Sequence, residues 1–333
     1  MRPVRLGIIG CGIAARELHW PALKTLHHQF EITVVCNHTE AKAKEFAAMV
    51  GGVPYVLDYQ ELLQRPDVEA VDIVLPIHLN YAVTKAALEA GKHVIAEKPL
   101  AANLIEANEM LTLERRFAQV KMIAENFRYR TTFHRVRELL TAGEIGIPYA
   151  VFWNVFYWVD RHNKYAQTQW RIHHQYPGGF ITDGGVHNIA ALRLWFGNII
   201  SGLAFTKSIH PEIGKLDAMS FQFLTENGVS GVFNVFFSAN GYAENRIIIL
   251  GSEGSLVVEG NSITSKRNGA ADRLEIIEDD GGYRGQFEDF YRAIRHGTSV
   301  TSSVTEAYQD LITIFNALES GETGRPFEVQ KMT

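Results

Sequence analysis

Val4-Arg5-Leu6-Gly7-Ile8-Ile9-Gly10-Cys11-Gly12-Ile13-Ala14-Ala15 starts as a short apolar run and breaks into a turn spaced G-x-G-x-x-A. The run reads as a buried strand, and the residues after Ala15 read as a helix. Gly10 permits the tight turn, Gly12 lets backbone amides approach an anion, and Ala15 lets the helix pack close to the strand. The amino end of such a helix favours a pyrophosphate. Gly10, Gly12, Ile13 and Ala14 are therefore candidate cofactor-binding residues. A plain strand–helix turn can share this spacing, but the clean strand in front and the helix behind favour the binding turn. Glu31–Cys36 supplies a second strand at the distance a strand–helix–strand unit requires.

The alternation continues outward from this unit. Helices are expected at Glu40–Met49, Tyr59–Arg65, Leu79–Ala90 and Asn103–Phe117. Strands are expected at Val53–Val56, Ala70–Leu75, the run Gly91–Ala96 and Lys121–Ala124. Short apolar strands separated by helices imply a parallel sheet covered on both faces. The run after Gly91 ends in Glu97-Lys98-Pro99. Proline keeps the residue before it extended, and strand C-termini face the ligand crevice of an open α/β sheet. Most lysines are solvated surface charges, but the strand before Lys98 and the proline after it mark a cation fixed at a cofactor site.

After a helix at Phe133–Ala142 the pattern changes. Tyr149–Asp160 reads as a long strand rich in aromatic and β-branched residues. Ser220–Thr225, Gly231–Ser238, Arg246–Leu250 and Ser255–Val258 follow, and helices at Gln286–His296 and Thr305–Ser320 close the chain. Strands that follow strands imply a largely antiparallel sheet with one open face. The expected organisation is α/β plus α+β: a dinucleotide-binding domain over 1–125 and a substrate and oligomerisation domain over 126–333. An uncovered sheet face predicts a homodimer or homotetramer.

At 333 residues and 46% apolar content the chain can bury an ample core. A net charge of −5 without a basic stripe gives no footprint for nucleic acid. No apolar run approaches the roughly 20 residues that cross a bilayer, and the first strand begins near Met1, so a cytoplasmic location is expected. Cys11 and Cys36 have no metal-ligand pattern around them; reduced thiols and no metal are expected.

A second segment carries chemistry. Gly178-Gly179-Phe180-Ile181-Thr182-Asp183-Gly184-Gly185-Val186-His187 opens a helix marked by Ile189, Leu192, Leu194 and Trp195. Asp183 and His187 then share one face. A carboxylate beside an imidazole suits general acid/base work near neutral pH, although a structural pair has the same pattern. The flanking glycines argue for close approach of a ligand or another backbone.

In order, these residues resemble the glucose-fructose oxidoreductase/inositol dehydrogenase/MocA family. The resemblance covers nearly the whole chain: the Gly10–Ala15 turn, Ala86–Pro99, Asn126-Phe127-Arg128-Tyr129, Trp170-Arg171, and the segment from Gly178 to His187. It implies a nicotinamide-dependent oxidoreductase acting on a carbinol or carbonyl of a sugar, cyclitol or related polyol. Lys98 would hydrogen-bond the reacting oxygen and take part in proton transfer, His187 would act as acid/base, and Asp183 would position it or the substrate. Trp170, Arg171 and Tyr283 match positions lining the cofactor, with Pro76 and Glu97 beside them. Arg128 and Tyr157 join Lys98, Asp183 and His187 at the substrate. The chain departs from the family at Asn80, where histidine is frequent, and at Ala190, where aspartate is.

Two other functions fit the same residues. One is reduction of a less polar carbonyl or conjugated ligand in a pocket lined by Phe152, Trp153, Phe156, Tyr157 and Trp158. The other is a non-catalytic nucleotide-sensing regulator, which the joint presence of Lys98, Asp183 and His187 disfavours. The end of the second strand carries Asn37-His38-Thr39 rather than the carboxylate that binds an NAD ribose. Asn37 and Thr39 can donate to phosphate oxygens and Lys42 adds a charge, so NADP is favoured over NAD. The missing arginine weakens that choice.

Overall fold

The computed structural model describes residues 2–329. They form two compact units: one from the chain up to Tyr129 together with Gly282–Tyr308, the other from Arg130–Gly281 and the chain from Gln309 onward. Among the described residues no helix is long and apolar enough to cross a membrane.

The first unit holds six strands: β1 Val4–Ile9, β2 Phe30–Cys36, β3 Tyr55–Val56, β4 Ala70–Ile73, β5 His93–Glu97 and β6 Lys121–Ala124. They lie in the order β3-β2-β1-β4-β5-β6, every pair parallel. That is the doubly wound dinucleotide-binding order, whose switch point lies between β1 and β4. Leu6 and Ile8 on one face and Gly7 and Ile9 on the other are buried, so the end of the opening strand is apolar because both of its faces are covered. Gly91, at φ +76°, ends the helix Asn80–Glu89 as a left-handed cap. Asn103 caps Leu104–Arg116 by accepting from the Glu106 amide at 3.0 Å.

The chain returns to this unit with the helix Tyr283–His296, whose Phe287 and Phe290 are fully buried. Their rings lie 5.9 and 6.5 Å from that of Phe30 at the start of β2. Behind the glycine turn the helix does not start regularly. Ala15–His19 is a π turn, with the Trp20 amide donating to the Ala15 carbonyl, followed by the α-helix Trp20–Thr25. Pro21 has no N–H to give an i→i−4 bond, and the widened turn accommodates it.

The second unit is built on a nine-stranded sheet: β7 Pro148–Phe156, β8 Ile199–Lys207, β9 Ala218–Thr225, β10 Ser230–Phe236, β11 Glu244–Gly251, β12 Ser255–Glu259, β13 Ser262–Lys266, β14 Arg273–Ile276 and β15 Phe327–Glu328. The order is β14-β13-β12-β11-β7-β10-β9-β8-β15. Within the described residues β7 and β10 are its parallel pair, and the other neighbours run antiparallel. Trp153 points inward, against Phe133 of the helix Thr131–Thr141 and Trp195 of the helix Phe180–Phe196, at ring distances of 5.9 and 5.8 Å. The opposite face presents Phe152, Phe205, Leu224 and Ile276 to solvent.

Strand β7 ends at Phe156, short of the expected Asp160, because beyond it Trp158 makes only an isolated bridge to Ser238. The aromatic run is therefore split by strand alternation. Trp153 belongs to the core, while Phe152 and Phe156 lie on the other face of the sheet, Phe156 packing against Phe236 and Tyr242. Those rings do not line one surface.

Candidate active site

Gly10, Asn37 and Lys98 each lie one residue beyond the C-terminal end of a parallel strand: β1, β2 and β5. Gly10 holds φ +104°, and a Cβ there would sit 2.1 Å from the Val74 carbonyl oxygen, so no other residue fits. Its amide donates to the Cys36 carbonyl at 2.8 Å, which ties the turn to β2. Gly12 is exposed, and a Cβ there would meet nothing within 4 Å. One glycine thus makes the turn and the other keeps its outer side open, as a bound dinucleotide requires. The residues present fit that group.

The Asn37 side chain is engaged with backbone: Oδ1 accepts from the Cys11 amide at 3.2 Å and Nδ2 donates to the Thr39 carbonyl at 3.2 Å. It shapes the turn from the side. His38 is exposed, and Thr39 precedes the helix Glu40–Met49. A cation that sequence reading missed stands at the same edge. Arg16 Nε donates to the Cys11 carbonyl and Nη2 to that of Lys42, while Nη1 pairs with Glu45 at 2.7 Å. Burial pushes both the Cys11 and the Cys36 thiol up to about 12, so these sulfurs are inert neighbours of the turn.

Lys98 is half-buried, and its peptide bond to Pro99 is cis. The backbone on both sides of it is gripped. Asn80, fully buried, donates through Nδ2 to the Glu97 carbonyl at 2.7 Å and to the Pro99 carbonyl at 2.9 Å. Glu97 Oε2 accepts from the Lys98 amide at 3.2 Å, and Oε1 lies 2.8 Å from His19 Nε2. The other ring nitrogen of His19 lies 2.9 Å from Asp72 Oδ2 on β4. Tyr283 closes this cluster with its ring centroid 6.4 Å from that of His19, and Pro76 precedes a short 3-10 turn at Ile77–Leu79. Arg128, expected at the substrate, is buried and pairs with Glu306 at 3.3 Å.

In the second unit, Asp183 lies in the first turn of Phe180–Phe196 and His187 one turn further on. Asp183 Oδ2 accepts from Arg171 Nε at 2.7 Å. The Arg171 guanidinium lies 4.0 Å from the Trp170 ring centroid and 5.0 Å from that of Tyr165, and Nη1 donates to Thr168 Oγ1. Trp170, Arg171 and Asp183 are thus one cluster, which their separate motifs did not reveal. Tyr176, 5% exposed, packs beside it with its ring 6.2 Å from that of Trp170. Burial raises its phenol well above the usual range and the charge of Asp183 adds to this.

The glycines before the helix have a structural cause. Gly178 and Gly179 hold φ +78° and +51°, and side chains of the protein occupy the space beside them. A Cβ would lie 2.5 Å from Leu318 at the first and 2.6 Å from the His174 ring at the second. Tyr157 is exposed just past β7, its amide donating to the Phe236 carbonyl.

Known proteins carry the same plan. A profile described as "Oxidoreductase family, NAD-binding Rossmann fold" matches residues 4–124, and the GFO/IDH/MocA C-terminal domain profile matches 133–257. The crystal structure of an oxidoreductase from Thermotoga maritima is similar at a TM-score of 0.93 with 38% identity, over 98% of each chain. The dTDP-3,4-didehydro-2,6-dideoxy-α-D-glucose 3-reductase of Saccharopolyspora spinosa is 30% identical over 90% of each chain. The 1,5-anhydro-D-fructose reductase of Ensifer adhaerens is 27% identical over 98% of each.

Proposed function

The chain belongs to the Gfo/Idh/MocA family of oxidoreductases, with the family's NAD-binding Rossmann fold at its N-terminus, and from that premise we propose that it transfers a hydride between a nicotinamide and the carbinol or carbonyl carbon of a sugar, cyclitol or related polyol. The observation that carries this reading is the shared edge of the parallel sheet. The open glycine turn after β1 and the gripped lysine after β5 lie at the C-terminal ends of strands in one sheet.

The amides of Gly12, Ile13 and Ala14 would hold a nicotinamide cofactor at the turn, and that group would supply the hydride acceptor or donor. Lys98 Nζ donates a hydrogen bond to the reacting oxygen, which stabilises the charge that builds there as the C–H bond breaks or forms. In the oxidative direction the hydroxyl proton passes to His187 as the hydride leaves carbon; in reduction His187 returns it. Asp183, held by Arg171, positions His187 or a substrate hydroxyl, and Trp170 offers an apolar ring for the face of the cofactor or sugar. Substrates of this class match what two relatives' names describe, both reductases of sugar derivatives.

For the cofactor the reading favours NADP(H). No carboxylate stands at the end of β2 to repel a 2′-phosphate, and His38 and Thr39 lie beside that end. We read the open face of the nine-stranded sheet, with Phe152, Phe205, Leu224 and Ile276 exposed, as the contact surface of a homodimer or homotetramer. Light scattering that shows a monomer at micromolar concentration would remove the oligomer.

The decisive experiment is a screen of sugars, inositols and nucleotide sugars with NADP and NAD, followed by absorbance of the reduced nicotinamide. Turnover with at least one polyol and a higher kcat/KM with NADP is expected. Cofactor binding without turnover on any of them would favour a nucleotide-sensing regulator. A clear preference for NAD, unchanged in Thr39→Ala, would overturn the cofactor choice.

A further inference from the structure

His19, Asp72 and Glu97 come from three separate stretches of the first unit and meet away from solvent. The side chains of His19 and Asp72 are wholly buried, and that of Glu97 is 13% exposed. Each ring nitrogen of His19 faces a carboxylate oxygen at hydrogen-bond distance. A neutral imidazole has one N–H, so it would turn a lone pair toward one of those oxygens unless that carboxyl held the proton; the imidazolium has two donors and satisfies both. Tyr283 and Phe287, from the helix Tyr283–His296, wall the ring with centroids 6.4 and 5.3 Å away and bring no opposing charge. Burial alone would strip the proton from His19, but Asp72 and Glu97 outweigh it and push the imidazole up to about 10.

The cluster is wired to the lysine. Glu97 uses one carboxylate oxygen on His19 and the other on the Lys98 amide, while Asn80 holds the carbonyls of Glu97 and Pro99. We propose that His19 is a positioning residue for Lys98: its charged hydrogen bond fixes Glu97, and Glu97 with Asn80 fixes the backbone from which Lys98 reaches the reacting oxygen. The proposal rests on the assignment of Lys98 to the reaction. Asn80, a departure from the family pattern, then acts through its two amide hydrogens, one for each flanking carbonyl. Asp72 is the counter-charge that keeps His19 protonated. Misplacing a reacting group by about 1 Å can cost on the order of 10²-fold in rate, so the frame matters even though His19 touches neither substrate nor cofactor.

Two measurements test this. The first is a long-range 15N–1H spectrum of the histidine rings at pH 8, with the His19 signal identified by its loss in the double variant below. Protons on both ring nitrogens are expected; a neutral ring, with the proton on Asp72, overturns the inference. The second is the double variant His19→Gln/Asp72→Asn, which removes one positive and one negative charge and so leaves the buried net charge unchanged. It should fold with a Tm close to that of the wild type and bind the reduced cofactor within a few-fold of wild type. Its kcat should fall about 10- to 100-fold with little change in KM. Wild-type kcat in the folded double variant overturns the positioning role. Should that variant fail to fold, Glu97→Gln gives the same reading, with a reduced kcat expected and an unchanged kcat overturning it. A wild-type protein without any nicotinamide-linked turnover defeats the dehydrogenase reading and the positioning role together, whereas a neutral His19 or a fully active variant defeats only the latter.

Discussion

Each unit of the molecule holds one carboxylate of its candidate-site residues in place with a cation, and the two do it by different means. Glu97 is held by His19 in a dry cluster shared with a second carboxylate. Asp183 is held by Arg171, whose guanidinium lies against the Trp170 and Tyr165 rings with both charged side chains slightly exposed. A guanidinium keeps its charge wherever it is placed and matches a carboxylate in shape, so it can work at a solvent edge. An imidazole is a cation at neutral pH only where its surroundings make it so, and two carboxylates facing one ring do that. The first arrangement depends on burial, and removing one partner from a buried charge cluster is expensive. The second depends on a contact geometry that another amine cannot copy.

The hardest test of this comparison removes what the first cluster is built to hold. Lys98→Ala should lower kcat by on the order of 10²–10⁴, as loss of a positioned proton-transfer group does, with cofactor affinity changed far less. Near-normal turnover would take Lys98 out of the reaction and leave the buried cluster without a catalytic client. The second cluster has a milder counterpart. Arg171→Lys keeps the positive charge but loses the planar contact with Trp170 and the fixed direction of the Nε–H toward Asp183. A fall in kcat/KM of about 10-fold with little change in Tm is expected, by analogy with the 1–2 kcal/mol that cation–π and charge-assisted contacts contribute. Equal activity of the lysine variant would mean that charge alone holds Asp183.

Much of the frame was legible. The G-x-G-x-x-A turn, the apolar strands and the helices Glu40–Met49 and Asn80–Glu89 follow from periodicity and turn chemistry, because both faces of each strand are covered and each helix ends at a residue that can end it. The place of Lys98 at the end of β5 was legible from the strand and proline around it. The cluster beneath it was not, since His19 sits on a π turn that no pattern signals, and its partners lie 53 and 78 residues away. A charge inside the apolar strand Ala70-Val71-Asp72-Ile73 was the one available hint that a buried cation faced it. The return of Tyr283–His296 to the first unit was equally hidden, because an amphipathic helix does not say which surface covers its apolar face. The glycines before Asp183 were read as close approach of a ligand or another backbone, whereas the side chains of Leu318 and His174 lie beside them. Sequence reports that a Cβ is excluded, and not what excludes it.

The smallest expected effect separates the two clusters by pH. The folded His19 holds its proton up to about pH 10, while the ordinary value is 6.5. Between these values the folded chain binds one proton more than the unfolded chain, so stability falls as pH rises. The contribution of His19 is complete below pH 6.5 and is lost as pH passes through about 10. Burial raises the thiols of Cys11 and Cys36 to about 12 from 9.0, which acts in the same sense but only above pH 9. His93 and His174, which burial pushes down, act in the opposite sense and only below pH 6.5. Lys92 and Lys121, which burial pushes down from 10.5, oppose the fall in stability toward the alkaline end, and burial raises the Asp72 carboxyl of the same cluster. From pH 7 to 8.5 the difference between the wild type and the double variant therefore reports the His19–Asp72 pair, and the guanidinium of the Arg171–Asp183 pair does not titrate there. One proton corresponds to about 1.4 kcal/mol per pH unit, so urea unfolding should lose about 2 kcal/mol across the interval. The slope should vanish in His19→Gln/Asp72→Asn and persist in Arg171→Lys. Parallel curves for the wild type and the double variant would place the proton elsewhere and erase the contrast between the clusters.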